Sequence, residues 1–320
     1  MIAAVFPGQG SQHTGMGRFL FDNFKSTQVL FEEAGDTLKI DFKKLCFEGA
    51  ESDLALTHNT QPCLLLVSTA SFLALKELIG FAPTLGAGHS VGEYAAVVTS
   101  GAMPFADGLR AVRLRGEAMQ SAVPVGVGGM SAVMGLDQDQ VVKLCKWAQE
   151  TAKDQPVEPA NFNAPGQIVI SGKKSLLDWL AENYDASIFG SEPPRIKFIP
   201  LKVSAPFHCS MMKPAEEKMA QVLATIPFQS AQYGVVQNVT AEPVNEGSNL
   251  RENLVKQISS PVRWIECVQT MNKMGADRFI EVGCGRVLAG LIKKISGSTV
   301  YSMNSLEDLK LIETQARGNT

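Results

Sequence analysis

Charge is scarce in this chain, and it is not biased toward the basic side. Only 19 % of the 320 residues are charged, with 29 Lys and Arg against 32 Asp and Glu, for a net charge of −3. A face for nucleic acid needs clustered basic residues, so no nucleic-acid partner is expected. Histidine is rarer still, with four in the chain (His13, His58, His89 and His208). The six cysteines (Cys46, Cys63, Cys145, Cys209, Cys267 and Cys284) form no C-x-x-C pair. Ligands this dispersed exclude a zinc motif, and unpaired thiols suit a reduced, cytoplasmic-type protein. Long hydrophobic runs are missing too. The most apolar stretch, Cys63 to Leu75, is broken by Ser68, Thr69 and Ser71, which makes it too short and polar for a membrane span. The opening Met1-Ile2-Ala3-Ala4-Val5-Phe6-Pro7 lacks the basic start and long apolar core of a signal peptide. No membrane partner is expected, the location is expected to be cytoplasmic, and the state monomeric. There are no internal repeats and no low-complexity tracts.

What the chain does have is core material. Hydrophobic residues make up 45 % of it, enough for one large domain with a subdomain, or for two domains. Ala3 to Phe6 reads as a buried strand, residues 60–79 as a buried helix, and Phe105 to Ala122 as a helix with Asp107 in its first turn. From Ser131 to Val203 the pattern changes to strand, helix, strand, strand, helix, strand, with a loop at Pro193-Pro194. The fold class is therefore α/β. A mostly parallel sheet spans residues 1–125 and 201–320, and a βαββαβ subdomain is inserted at 126–200. The segment beyond about Leu311 reads as a polar, frayed tail.

The densest chemical signal is Gly88-His89-Ser90-Val91-Gly92. It lies between a short extended run and the helical Glu93 to Val98, the strand–turn–helix setting of a nucleophile elbow. A serine there projects from a turn too sharp for side chains beside it. Its oxyanion would meet backbone N–H groups, the first from Val91. The competing reading is a plain glycine-bounded turn.

A serine needs a base. His89 adjoins Ser90 and points away from it in a tight elbow. His208 follows an expected strand and enters a loop, where catalytic groups concentrate, so it is the candidate base, against a structural histidine. No acid between Ser90 and His208 stands in a strand-end loop, so a Ser–His pair with a carbonyl as orienter is expected in place of a triad. Cys209, beside His208, reads as a small buried hydrophobe. On the helix from Phe105, Arg115 lies beside the apolar stripe of Leu109, Val112 and Met119. An inward arginine needs an anion. It is either half of an internal salt bridge or a fork for a substrate carboxylate. Gly8-Gln9-Gly10 lets the Gln9 backbone approach another loop, which suits a second oxyanion donor. Gly283-Cys284-Gly285 imitates a phosphate loop but reads as a tight turn.

Taken together, Phe6-Pro-Gly-Gln-Gly-Ser-Gln12, Gly88-His-Ser-Val-Gly-Glu93, Arg113-Leu-Arg-Gly116, Asn161-Phe-Asn-Ala-Pro-Gly-Gln167, Ala205-Pro-Phe-His208, Gln257 ahead of Ser260-Pro-Val262, and Glu281-Val-Gly-Cys-Gly285 run in one order across residues 1–305. In this the chain resembles the malonyl-CoA:acyl carrier protein transacylases of type II fatty acid synthesis. The resemblance implies an α/β-hydrolase-like large domain with a ferredoxin-like subdomain. It implies that Ser90 is acylated with His208 as base, and that the Gln9 and Val91 amides form the oxyanion hole. Arg115 would hold the malonyl carboxylate, and the Gln257 main-chain carbonyl would orient the histidine. His89, Asn161 and Asn163 would lie near the acyl pocket. Malonyl-CoA and holo-acyl carrier protein would be the partners, with no metal or redox cofactor. Phe207 stands where some members have serine, and in related polyketide acyltransferases a phenylalanine there accompanies malonyl over methylmalonyl. Cys284 stands where proline is frequent. The rival readings are a serine esterase or thioesterase with the same pair, a carrier-binding subunit without turnover, and a nucleotide-binding α/β protein.

Overall fold

The computed structural model describes residues 1–191, 194–203 and 205–317. Pro193 of the expected Pro193-Pro194 loop lies outside the described residues. Two sheets organise the chain. The larger takes β1 (Ile2–Phe6), β2 (Leu85–Gly88), β7 (Gly234–Val236), β8 (Pro243–Val244), β9 (Arg278–Glu281) and β10 (Thr299–Ser302), in the order β10-β9-β1-β2-β7-β8. All its pairings are parallel except β7 with β8. Its centre is buried on both faces, which is why β1 reads as an unbroken apolar run.

The smaller sheet takes β3 (Gly128–Met134), β4 (Val157–Ala164), β5 (Gln167–Lys173) and β6 (Lys197–Pro200), in the order β4-β5-β3-β6 and antiparallel throughout. One contiguous stretch between β2 and β7 supplies it. Helices Gln138–Ala152 and Lys174–Asn183 bury Val141, Leu144, Leu177 and Leu180 against it. Asp137 opens the first with a capping box to Gln140. The smaller sheet is tied to the rest of the fold through β4 and the segment ahead of helix Trp264–Lys273, where Phe162 N–H donates to Val262 O at 2.9 Å and Val262 N–H to Ala160 O at 2.8 Å.

The helix Thr57–Ile79 differs from expectation. It is long and apolar enough by composition to cross a membrane, whereas the sequence reading found it too short and polar; 72 % of its most apolar window is buried inside the fold. Pro62 sits inside it and supplies no N–H to His58 O. Arg113 Nη1 donates to that carbonyl instead, at 3.0 Å.

The chain end is a second correction. Leu306–Arg317 is a helix, not a frayed tail, because Leu309 and Ile312, one turn apart, are buried in the main core.

In a parallel sheet the loops that follow the strands gather at one edge. Gln9 follows β1, Ser90 follows β2, and Asn238 follows β7, all three on neighbouring strands.

Candidate active site

The elbow is built by steric exclusion. A Cβ on Gly88 would lie 1.9 Å from the Gly92 carbonyl carbon, and one on Gly92 would lie 2.2 Å from Phe6 O. No side chain fits at either position, so the strand can turn directly into helix Gly92–Thr99. Ser90 itself adopts φ 53°, and His208 φ 60°. Left-handed backbone costs a non-glycine residue on the order of 1 kcal/mol or more, and it gathers at functional sites.

Ser90 Oγ and His208 Nε2 are 2.7 Å apart. His208 Nδ1 lies 2.9 Å from the main-chain oxygen of Gln257. A carbonyl can only accept, so Nδ1 carries the proton and Nε2 is left as an acceptor facing the hydroxyl. Among the described residues no carboxylate touches this ring. Burial, reinforced by the Arg115 charge and opposed by the Gln257 carbonyl, lowers His208 to about 3, so the ring is neutral at pH 7.

Arg115 is 1 % exposed. Its Nη1 donates to Gln61 Oε1 at 2.9 Å; its Nη2 donates to Gln257 Oε1 at 2.8 Å and to Ser90 Oγ at 3.2 Å. Nε has no partner, and the guanidinium lies 5.6 Å from the centre of the Tyr94 ring. Burial raises the Tyr94 hydroxyl to about 12, so it remains neutral. Among the described residues Arg115 forms no salt bridge, which removes the structural alternative for it. Its neighbour Arg113 is the paired one, to Glu117 at 2.8 Å.

A cavity of about 110 Å³ opens over these groups. Polar lining comes from Gln9, Gln61, His89, Ser90, Arg115, Asn161 and His208; Met119, Met130, Leu201, Val203 and Phe207 supply the apolar wall. Gln9, His89, Asn161 and Phe207 thus meet at the nucleophile. Asn163 stands one layer back, where its Oδ1 accepts from His89 Nε2 at 2.7 Å. Burial lowers His89 as well. The ring is neutral and turned toward Asn163, not toward Ser90 Oγ. Among the described residues neither the Gln9 nor the Val91 main-chain N–H has a protein acceptor. Both flank the loop pair that brackets Ser90.

Cys209 is buried, with its thiol raised to about 11, so it is no nucleophile. The phosphate-loop imitation at Gly283 also resolves. Glu281 accepts from the Leu288 and Ala289 N–H groups at 2.9 and 3.0 Å, so the protein's own carboxylate occupies that helix N-terminus.

Three participants escaped the sequence reading. Gln61 is a buried amide in helix Thr57–Ile79, between Thr60 and Pro62. Glu93 lies within the elbow motif but was given no role. Asn238 follows Val235-Val236 at the same sheet edge as Ser90, and that position could have flagged it.

A neutral base aimed at a serine on a sharp elbow, beside a guanidinium with no carboxylate contact, fits a serine enzyme that works through an acyl ester. Comparison with known proteins narrows this class. A family model described as the acyl transferase domain matches residues 4–313, and the chain belongs to that family. It is 41 % identical over 309 residues to the malonyl CoA-acyl carrier protein transacylase of Staphylococcus aureus (strain COL), covering 96 % of this chain and 97 % of that one. The structure of the corresponding protein from Coxiella burnetii superposes with TM-score 0.92 at 36 % identity, covering 98 % of this chain and 97 % of the other. A type II PKS acyl-carrier protein in complex with its malonyl-transacylase matches with TM-score 0.90 at 39 % identity over 99 % of each chain.

Proposed function

We propose that this enzyme transfers a malonyl group from malonyl-CoA to the phosphopantetheine thiol of holo-acyl carrier protein, through an ester on Ser90. The observation that carries the reading is a fully buried guanidinium without a carboxylate partner, 3.2 Å from the nucleophile's oxygen. The nearby buried carboxyl of Glu93 acts on Arg115 only through space, its oxygens being taken by Asn238 and Gln237, so a ligand carboxylate fits as the contacting anion and would set its acyl carbon at Ser90.

In the first half-reaction His208 Nε2 takes the Ser90 proton as Oγ attacks the thioester carbon. The Gln9 and Val91 N–H groups receive the oxyanion. Collapse expels the CoA thiolate, which takes the proton back from His208. In the second, the carrier thiol gives its proton to His208 and attacks the ester, and Ser90 regains its hydrogen. Gln257 O steadies the imidazolium in each step. Proton shuttling and acyl transfer are complete with these groups, so no metal or redox cofactor is called for. Six buried free thiols suit a reducing, cytoplasmic setting.

The strand order supports the finer reading of the fold. We take 1–125 and 201–320 as an α/β-hydrolase-like large domain and 126–200 as a ferredoxin-like subdomain, whose β4 supplies Asn161 to the cavity. Intact-mass measurement after mixing with malonyl-CoA tests the function. One malonyl adduct on Ser90, discharged by holo-acyl carrier protein, is expected. Release of free malonate as fast as carrier loading would instead make the protein a thioesterase.

A further inference from the structure

Asn238 does not line the cavity, yet it touches the elbow backbone on both sides of His89, up to the nucleophile's own N–H. Its Nδ2 donates to Gly88 O at 2.7 Å, and its Oδ1 accepts the Ser90 N–H at 2.9 Å. The amide thus pairs with the elbow as a neighbouring strand would, just past the point where the β2–β7 ladder ends at Gly86↔Val235. The same Oδ1 also accepts from Gln257 Nε2 at 3.3 Å, and that nitrogen donates to Ser90 O at 3.0 Å. Behind it, the Asn238 N–H donates to Glu93 Oε2 at 2.6 Å, and Gln237 Nε2 to Glu93 Oε1 at 3.1 Å. Asn253 Nδ2 closes the chain on Gln237 Oε1 at 2.8 Å. All of these side chains are buried.

We propose that Asn238 is a positioning residue for acyl transfer: its side-chain amide holds Ser90 in its left-handed conformation and fixes it relative to Gln257, the residue that orients His208. The physical ground is geometric. Ser90 at φ 53° has a backbone that relaxes unless its peptide groups are held elsewhere. Relaxation would rotate Oγ away from His208 Nε2 and turn the Val91 N–H from the oxyanion. A misplacement of about 1 Å costs on the order of a hundredfold in rate. Arg115 reaches the site from a different helix and keeps its hold on Gln61, so binding of the substrate carboxylate is left intact. Asn238 therefore governs the chemical step and not affinity.

This inference rests on the acyl-Ser90 reading, and one experiment separates the two. Single-turnover acylation by malonyl-CoA is timed by quench and intact mass in the wild type, Asn238→Ala and Asn238→Asp. Malonyl-CoA affinity is measured for each in the Ser90→Ala background. Asn238→Ala is expected to acylate roughly a hundredfold more slowly, with affinity within about threefold of the wild type. Asn238→Asp keeps the shape and the acceptor but loses the donor to Gly88 O, so a loss of about tenfold or more is expected. Acylation by folded Asn238→Ala within threefold of the wild type overturns the proposal, as does a loss that appears wholly as weaker binding. Should Asn238→Ala not fold, Asn238→Asp decides by the same criteria. An adduct missing from the wild type itself would sink the functional reading instead.

Discussion

Arg115 Nη2 lies 3.2 Å from Ser90 Oγ, so the proposed anion receptor and the proposed nucleophile are in contact before any substrate arrives. A malonyl group carries its carboxylate one methylene from the thioester carbon. Bound to Arg115 as proposed, that carboxylate would replace Ser90 Oγ as the guanidinium's acceptor and free the oxygen to attack. Longer diacids would hold their acyl carbon too far from Oγ.

Substitution of this arginine should therefore divide function from stability. Arg115→Met is expected to lower malonyl acylation by about a hundredfold or more while sparing acetyl transfer. It also removes a buried charge held by neutral acceptors but strands Gln61 Oε1 and Gln257 Oε1, so the two effects offset and thermal stability should change by no more than about 1–2 kcal/mol. Parallel acylation rates for malonyl-CoA and acetyl-CoA, with a melting curve, check both halves. Equal losses for the two acyl groups would refute the carboxylate fork.

The depressed His208 pKa has a defined sign. Between pH 6.5 and about 3 the unfolded chain binds a proton at this residue that the folded chain does not. Its contribution to stability is thus present above pH 6.5 and lost as pH falls, by up to about 1.4 kcal/mol per pH unit. Glu93 and Glu281, both raised to about 7 by burial, act in the opposite sense as pH rises from 4.5 to 7. His208→Gln removes one side of this balance. Urea unfolding at pH 7.5 and 5.5 should show the variant gaining stability relative to the wild type on acidification. The acid limb of kcat/KM in the wild type should fall well below 6.5, because burial and Arg115 keep the free base neutral.

How much of this was legible in the sequence depended on whether a residue's role leaves a local mark. Gly88 and Gly92 exist because a Cβ would strike backbone, so the elbow was readable from five residues. His208 was found among only four histidines, and Arg115 from its place on one helix. Gln257 acts on His208 through a main-chain oxygen, which leaves no side-chain signature, and only family resemblance pointed to it. Asn238 and Gln61 act across the fold, Asn238 on a carbonyl 150 positions away, so spacing could not reveal them. The terminal helix was misjudged because the segment beyond about Leu311 is polar in composition, and the one turn that joins Ile312 to Leu309 against the core leaves little mark in it.

Two glycine-to-alanine substitutions should move in opposite directions. At Gly92 the new methyl would meet Phe6 O at 2.2 Å, main chain that cannot yield without unseating β1. Gly92→Ala should lose roughly 2–4 kcal/mol and all detectable acylation. At Gly290, inside helix Val287–Ser296, nothing lies within 4 Å of the added atom. Gly290→Ala should gain about 0.5–1 kcal/mol with unchanged activity. Denaturant midpoints and acylation rates for the pair provide the check.

On the proposed function, Phe207 would control branching in the acyl pocket. It shares the apolar wall with Met119, Met130, Leu201 and Val203, in a cavity of about 110 Å³ that the malonyl group must share with the Arg115 fork. With the carboxylate fixed at one end and the thioester carbon at Ser90, the α-carbon has little freedom, so a methyl there must displace wall. Phe207→Ser removes most of a ring and none of the fork. A methyl in an apolar pocket is worth about 10–200-fold in discrimination. The ratio of malonyl to methylmalonyl acylation should therefore fall by at least about tenfold in Phe207→Ser, mainly through faster methylmalonyl transfer. Competition between the two CoA esters, scored by adduct mass on Ser90, measures the ratio directly. An unchanged ratio would move the control of branching to Met130 or Leu201 on the small-sheet side of the cavity.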